Sequence, residues 1–342
     1  MKKAVILFNL GGPDKLENVE PFLFNLFNDP AILNLPKIFR FPLAKLIANR
    51  RAPVAKKIYG ELGGSSPILK LTMEQSNELE KRLNKNKDLD EYKCFVVMRC
   101  WHPRASKVIN EVKLFNPGEA ILLPLYPQFS ASTSGSSIKE WNDICKMNSY
   151  EVNTNIICCY PTDKNFIKAH TLEIKKKIND IINYKLIFSA HGLPEKNIKN
   201  GDPYQWQVEQ TVKEVVSLLN IRNLDWVLSY QSRVGPLKWI GPSTDNIIIE
   251  NAKLGKHIVI VPIAFVSEHS ETLVELDIEY KKLAQQNGCD KYTRIPALGI
   301  NDTFIESLFN LVINKNENQF NNKIFTPKNK CPSNFVKCLC LK

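Results

Sequence analysis

Ala4-Val5-Ile6-Leu7-Phe8-Asn9-Leu10, followed at once by Gly11-Gly12-Pro13, is the stretch that decides the fold class. It has the length of one strand, no polar face, and a stop made of turn residues. A run apolar on both faces belongs in a parallel sheet covered on both sides. The same pattern returns at Cys94–Met98, Ala120–Leu125, Asn155–Cys158, Lys185–Ser189, Trp226–Tyr230 and His257–Ala264. Amphipathic segments lie between them: Lys70–Leu83, Asp163–Ile182, Pro203–Leu219, Asn246–Ala252 and Thr272–Gln285. Strand–helix alternation predicts an α/β protein with doubly wound parallel sheets. Each half of the chain holds three or four strands, so two similar domains facing a central cleft are expected. Their boundaries are 1–155 and 156–312, with a C-terminal extension at 313–342 in which a polar linker, 314–330, leads to a Cys-bearing tail.

The chain has 342 residues, 44% hydrophobic and 24% charged. That composition excludes disordered, collagen-like and coiled-coil classes. The net charge is +11, but the lysines are spread among Asn, Ile and Glu, with no basic stripe interleaved with aromatics. A nucleic-acid partner is therefore not expected. Met1-Lys2-Lys3 before an apolar run imitates a signal peptide, yet the run is short and ends at Gly11 without a cleavage pattern. No apolar run is long enough to span a membrane. A cytoplasmic protein is expected, whose nine Cys are thiols or metal ligands before they are disulfides.

Polar residues gather where strands end. Gly11-Gly12-Pro13 permits either a plain turn or close backbone approach to a ligand. Arg99 ends the second strand and suits an anionic group or the surface. Ser130–Ser137 is dense in hydroxyls that cap a helix or bind anions. His191 follows the strand Lys185–Ser189 and is a candidate base or ligand near neutral pH. After the last strong strand come Glu268, His269 and Glu271, then Glu275 and Glu279. The spacing i, i+4, i+8 places Glu271, Glu275 and Glu279 on one helix face. Like charges so placed repel unless protons or cations intervene. One imidazole and one carboxylate suit transient capture of a divalent metal, not a closed structural zinc site.

FNLGGP (8–13), RRAP (50–53), GGSSPI (63–68), MRCWHP (98–103), YPQFSASTSGSS (126–137), FSAHGLP (188–194), GDPY (201–204), SYQSRVGPLKWIGP (229–242) and PIAFVSEHSETLVELDIEY (262–280) together resemble the bacterial ferrochelatases in order and spacing. The resemblance implies two Rossmann-like domains of chelatase type. It implies insertion of Fe2+ into protoporphyrin IX, with release of two protons, to give protohaem. It puts His191 and Glu271 at metal delivery and pyrrole deprotonation. It makes Glu268, Glu275 and Glu279 an acidic track. Leu10, Arg99, Tyr126 and Trp239 match positions around the macrocycle; Arg51, Tyr59 and Ser66 match its propionate edge and mouth. Segment 21–66 matches the pocket lip, where apolar residues such as Phe39 and Phe41 beside Arg50-Arg51 suit peripheral contact with the inner face of a membrane as well as core packing.

Cys331, Cys338 and Cys340 close the chain, and Cys158-Cys159 lies mid-chain. Some family members hold a [2Fe–2S] cluster, and the tail spacing resembles a bacterial ligand arrangement with Cys158 as fourth ligand and Cys159 as its rival. If Asn155–Cys158 is a strand, the two neighbours face opposite ways and only one can ligate. Free thiols in a frayed tail are the other reading. Two further functional classes compete: a porphyrin or haem carrier without turnover, which has no use for His191, and a cobalt or nickel chelatase acting on another tetrapyrrole.

Overall fold

The computed structural model describes residues 1–85, 90–178, 183–233, 235–313, 320–321, 324–325 and 331–341. The chain divides into two units. The first is Met1–Cys159 with Leu308–Thr326; the second is Tyr160–Ser307 with Pro327–Lys342. The separation thus falls at Cys159/Tyr160 rather than 155/156. The C-terminal extension is shared between the two units instead of standing apart.

In the first unit, β1 (Lys2–Asn9), β2 (Glu91–Met98), β3 (Glu119–Pro124) and β4 (Asn153–Ile156) form a parallel sheet in the order β2-β1-β3-β4. In the second, β5 (Tyr184–His191), β6 (Trp226–Gln231), β7 (His257–Pro262) and β8 (Tyr292–Arg294) repeat that order as β6-β5-β7-β8, again parallel. β9 (Phe320–Asn321) and β10 (Ile324–Phe325) extend the first sheet, with Ile324 in register with Ile156. In each unit the strand that comes first in sequence lies inside the sheet. Ala4–Phe8 of β1 and Leu186–Phe188 of β5 are wholly buried, as their two-sided apolar sequences require.

The order also fixes where a ligand goes. The chain leaves β5 for β6 on one side, then returns to β7 on the other. A crevice opens at the C-terminal ends of strands where the winding reverses. For the second unit that point is between β5, which ends at His191, and β7, which runs out into the loop before Glu271.

Three of the departures from the sequence expectation bear on the site and the tail. The strand expected at Asn155–Cys158 is Asn153–Ile156, so Cys158 and Cys159 lie past its end. The helix expected at Thr272–Gln285 is a π-helix, Glu271–Glu279, passing into an α-helix, Tyr280–Gln286. The helix expected at Asp163–Ile182 runs Lys164–Ile178, and 179–182 lie outside the described residues, as does most of the 314–330 linker. Among the described residues no helix is long and apolar enough to cross a membrane.

Candidate active site

His191 is the last residue of β5, and its Nδ1 lies 2.8 Å from Glu271 Oε2 at the start of the π-helix. The carboxylate can only accept, so the Nδ1 proton is the one it holds. The proton that comes and goes is therefore on Nε2. Burial opposes the charged imidazole, but the Glu271 charge, its hydrogen bond and Glu275 outweigh that, and the His191 pKa is raised. Burial would likewise raise Glu271; His191 and His269 beside it and the Ser232 hydroxyl instead hold it down at about 2. Glu271 is thus an ionised anchor.

His269 stands on the other side of the same oxygen, Nε2 to Oε2 3.9 Å. Its Nδ1 is 3.2 Å from the Ser267 carbonyl, which can only accept, so Nδ1 carries the hydrogen and Nε2 the lone pair. Burial lowers its pKa. One carboxylate oxygen is flanked by two imidazoles. The loop is fixed by Thr272, whose buried hydroxyl accepts from His269 N at 2.9 Å and donates to the His269 carbonyl at 3.1 Å.

Glu275 sits one turn on. It accepts from Ser232 N (2.9 Å), Ser232 Oγ (2.5 Å), Gln231 Nε2 (3.0 Å) and Tyr280 OH (3.0 Å). Ser232 Oγ also lies 3.4 Å from Glu271 Oε2, so Glu271 and Glu275 do share a side of the helix. π-Turns recur at functional sites. Burial and the Glu271 charge push the Glu275 carboxyl up. Ser232 adopts the left-handed region at φ 61, uncommon for a side chain of its kind, right where β6 ends. Glu275 and Glu279 line a cavity of about 620 Å³ with Ser232, Trp239, Asp245 and Tyr280. The Trp239 ring stands 6.5 Å from that of His191. It also packs close over Gly192, where a Cβ would meet Trp239 Cε3 at 3.2 Å.

Glu268 is not on this face. It takes hydrogen bonds from Arg294 Nη1 (2.8 Å) and Ala297 N (2.9 Å), so it braces the loop against β8. Sequence reasoning missed Ser232, Tyr280 and Asp245. Positive φ at a Ser after a strand carries no composition signal, and Asp245 opens an ordinary helix, Thr244–Lys253.

The candidates of the first unit are placed as follows. Gly11, at φ 85, and Gly12 are packed by their own chain: Cβ atoms there would meet Met98 Cβ and Trp101 N at 3.1 Å and Ser66 at 2.5 Å. Ser66 N donates to the Pro13 carbonyl, which locks this turn. Leu10 packs against the cluster that contains Phe22, Ala48, Tyr59 and Trp101, so Tyr59 is a core residue. Arg51 lies over the Phe27 ring at 5.8 Å. Tyr126 follows β3, and burial raises its hydroxyl pKa. Arg99 is occupied internally: Nη2 pairs with buried Asp29 at 2.8 Å, Nε donates to Ser136 Oγ at 2.7 Å, and Nη1 reaches Glu140 at 3.3 Å.

None of the nine cysteines is paired in a disulfide. In the second unit Cys331 and Cys338 sulfurs are 3.4 Å apart, and Gln207 Nε2 donates to Cys331 Sγ at 3.2 Å. In the first, Cys158 and Cys159 sulfurs are 3.6 Å apart, both buried. The expectation that only one of them can serve a site rested on strand alternation, and β4 ends at Ile156. Beyond the strand the two sulfurs fall together.

The ferrochelatase family model matches residues 2–316, leaving the Cys tail beyond it. The ferrochelatase of Pelagibacter ubique (strain HTCC1062) is 74% identical over 341 residues, covering 100% of this chain and 99% of the relative. That of Rickettsia felis is 49% identical over 352 residues, covering 99% of each. Among solved structures, SirB from Bacillus subtilis with Fe3+ is similar at TM-score 0.53 and 13% identity, over 94% of this chain and 99% of that one. The sirohydrochlorin chelatase SirB from Bacillus subtilis subspecies spizizenii, in complex with cobalt, is similar at TM-score 0.52 and 12% identity, over 93% and 97%. At such identities the structures speak for the chelatase fold alone. The match across the chain and the close full-length relatives decide the rest: the chain belongs to the ferrochelatase family.

Proposed function

We propose that His191 and Glu271 are the groups that deliver Fe2+ and take the pyrrole protons in this chain's ferrochelatase reaction, the insertion of Fe2+ into protoporphyrin IX to give haem. The observation that carries this assignment is the 2.8 Å contact between His191 Nδ1 and an ionised Glu271. It leaves Nε2 as the exchangeable position of the imidazole. Pyrrole nitrogens must lose two protons before metal sits in plane, and a base near neutral pH is suited to that task. Fe2+ must also leave its protein ligands, so a sparse N/O set is favoured over a closed one. Glu275 and Glu279 continue the carboxylate row. Leu10, Arg51, Ser66 and Tyr126 in the first unit and Trp239 in the second are proposed porphyrin contacts; Tyr59 and Arg99 support them from within the core. Anaerobic mixing with protoporphyrin IX and Fe2+, followed by porphyrin fluorescence, tests the assignment. His191→Ala should bind porphyrin and fail to quench it with iron; undiminished turnover overturns the role.

The tail supports a [2Fe–2S] cluster reading. Such clusters take four thiolates. Cys331, Cys338 and Cys340 are proposed as three ligands and Cys158 as the fourth, with Cys159 its alternate. The donor set fits: the Cys331 and Cys338 sulfurs already face each other, and Cys338 and Cys340 are hydrogen-bonded. Cys331's hydrogen bond pulls the Cys338 thiol down, but Cys340 and burial push it up to about 12. Bound metal would have to displace these protons. When bound, the cluster would supply visible absorption and one-electron redox chemistry. Cys338→Ser should abolish the colour of anaerobically purified protein; a colourless wild type overturns the reading.

Peripheral membrane contact is proposed for the helix Lys37–Gly60. It exposes Ile38 (76%), Phe39 (64%), Phe41 and Leu46, and it carries Lys37, Arg40, Lys45 and Arg50 without an acidic residue. Apolar side chains among cations favour an anionic lipid surface.

A further inference from the structure

The carboxylate row of the π-helix stops making polar contacts after Glu275. Among the described residues Glu279 has no hydrogen bond or ion pair. The hydrogen-bonded line leaves the row sideways instead. Ser232 Oγ lies 3.4 Å from Glu271 Oε2 and donates to Glu275 Oε2 at 2.5 Å. Glu275 Oε1 is 3.0 Å from the Tyr280 hydroxyl, and that hydroxyl is 3.1 Å from Asp245 Oδ1 on another helix, Thr244–Lys253. The π-turns make this possible. Tyr280 comes five residues after Glu275, which around an α-helix would set the two about 140° apart. Here the Tyr280 N–H donates to the Glu275 carbonyl, the five-residue bond of a π-turn, and the buried phenol comes up beside the carboxylate. A phenol has one hydrogen, so it donates either to Glu275 or to Asp245; the carboxyl it leaves can donate back to it only when protonated. Burial and the Glu275 and Asp245 charges raise the Tyr280 pKa, so the hydroxyl keeps a hydrogen at all times and conducts only by exchange. Asp245, at the far end, is half-buried. It borders the cavity beside Glu275 and also a second one of about 500 Å³, whose walls include the exposed Asn246, Lys282 and Gln286. Its place in the first turn of a helix favours the carboxylate form there.

We propose that Tyr280 and Asp245 are the outlet for the pyrrole protons, carrying them from Glu275 to the solvent of the outer cavity instead of along the row to Glu279. The proposal rests on the reading that His191 and Glu271 take those protons. Both outlet residues act through Glu275, so they are positioning residues. Glu275 is reached from Glu271 through the Ser232 hydroxyl. With a proton on Glu275 Oε1, that O–H bond breaks as a new one forms to the Tyr280 oxygen, and the Tyr280 O–H bond breaks as its hydrogen bonds to Asp245 Oδ1. One proton has moved and no electron, and the phenol's new hydrogen faces Glu275. Asp245 gives its proton to solvent. The hydroxyl then turns towards Asp245 and readies the line for the second pyrrole proton.

The experiment uses the full chain as wild type, Tyr280→Phe, Asp245→Asn, the double variant and His191→Ala. Single-turnover insertion of Fe2+ into protoporphyrin IX is followed without oxygen by porphyrin fluorescence, with and without added formate, and porphyrin Kd is titrated separately. Tyr280→Phe and Asp245→Asn should each slow insertion severalfold with porphyrin Kd unchanged. Formate, a small carboxylate able to enter the outer cavity, should restore most of the rate in Asp245→Asn and leave wild type as it is. The double variant should be no slower than the slower single variant, as expected for two links of one line. With His191→Ala inactive, insertion by Asp245→Asn at the wild-type rate, a loss that formate leaves in place, or losses that multiply in the double variant overturn the outlet alone. Undiminished turnover in His191→Ala overturns the reading on which the outlet rests, and the outlet with it.

Discussion

Glu271 Oε2 lies between two imidazoles, 2.8 Å from His191 Nδ1 and 3.9 Å from His269 Nε2, and is held ionised there. A carboxylate so placed does two jobs: it fixes which nitrogen of His191 exchanges protons, and it offers an oxygen to a cation. Glu271→Gln keeps the shape and removes the charge on which both depend. We expect kcat to fall by about 10²-fold or more, the range for a lost acid–base partner, with porphyrin binding intact. Stopped-flow metal insertion alongside a fluorescence titration of porphyrin checks this; equal losses in both would make Glu271 a structural residue.

Arg99 separates two readings of its strand-end motif by stability. Its guanidinium is the partner of Asp29, which is 3% exposed. Removing one member of a buried pair leaves an uncompensated charge and costs roughly 3–5 kcal/mol. Arg99→Ala should therefore lower denaturant stability by about that much, with Arg99→Lys in between. A stable Arg99→Ala protein with only a raised porphyrin KM would show that the side chain serves the ligand instead.

Much of this was legible in the chain. β1 and β5 announce themselves because both faces are buried, so neither carries the polar alternation that confuses strand assignment. His191 and Glu271 were legible because each follows a strand, and parallel strands deliver their C-terminal loops to one edge. Other features were not. The π-turns of Glu271–Glu279 leave the same i, i+4 pattern as an α-helix. Arg99 looked ligand-facing because its partners Asp29 and Glu140 are far away in sequence. Glu268 looked like part of the acidic row because Arg294 arrives from β8. Ion pairs across long sequence separations leave no local trace.

Gly201 is the tail's seat. It adopts φ 84, and an added Cβ would lie 2.7 Å from Val336 Cγ2 and 2.9 Å from Val336 N. Ala there is strained by its backbone and blocked by the tail's backbone, which has no flexible end to yield. Gly201→Ala should lift the tail while the sheet stays folded. Cys331 and Cys338, buried in the docked tail, should then react severalfold faster with a thiol reagent after metal removal, read by mass spectrometry. Unchanged labelling would mean the tail is held elsewhere.

His170 predicts the acid limb of stability. It is wholly buried in the helix Lys164–Ile178, edge-on to Phe166 at 4.8 Å, and burial lowers its pKa to about 3. In the unfolded chain it titrates near the ordinary value of about 6.5. Above that pH both states are neutral and the group contributes its full share to stability. As pH falls below it, the unfolded chain takes up a proton that the folded one refuses until about 3. Stability then drops by up to about 1.4 kcal/mol per pH unit from this group alone. His170→Phe removes the titration while keeping a ring among Phe166 and its neighbours. Urea midpoints measured between pH 7 and 4 should fall less steeply in His170→Phe than in wild type, and parallel slopes would show that His170 is protonated as readily in the folded state as in the unfolded one.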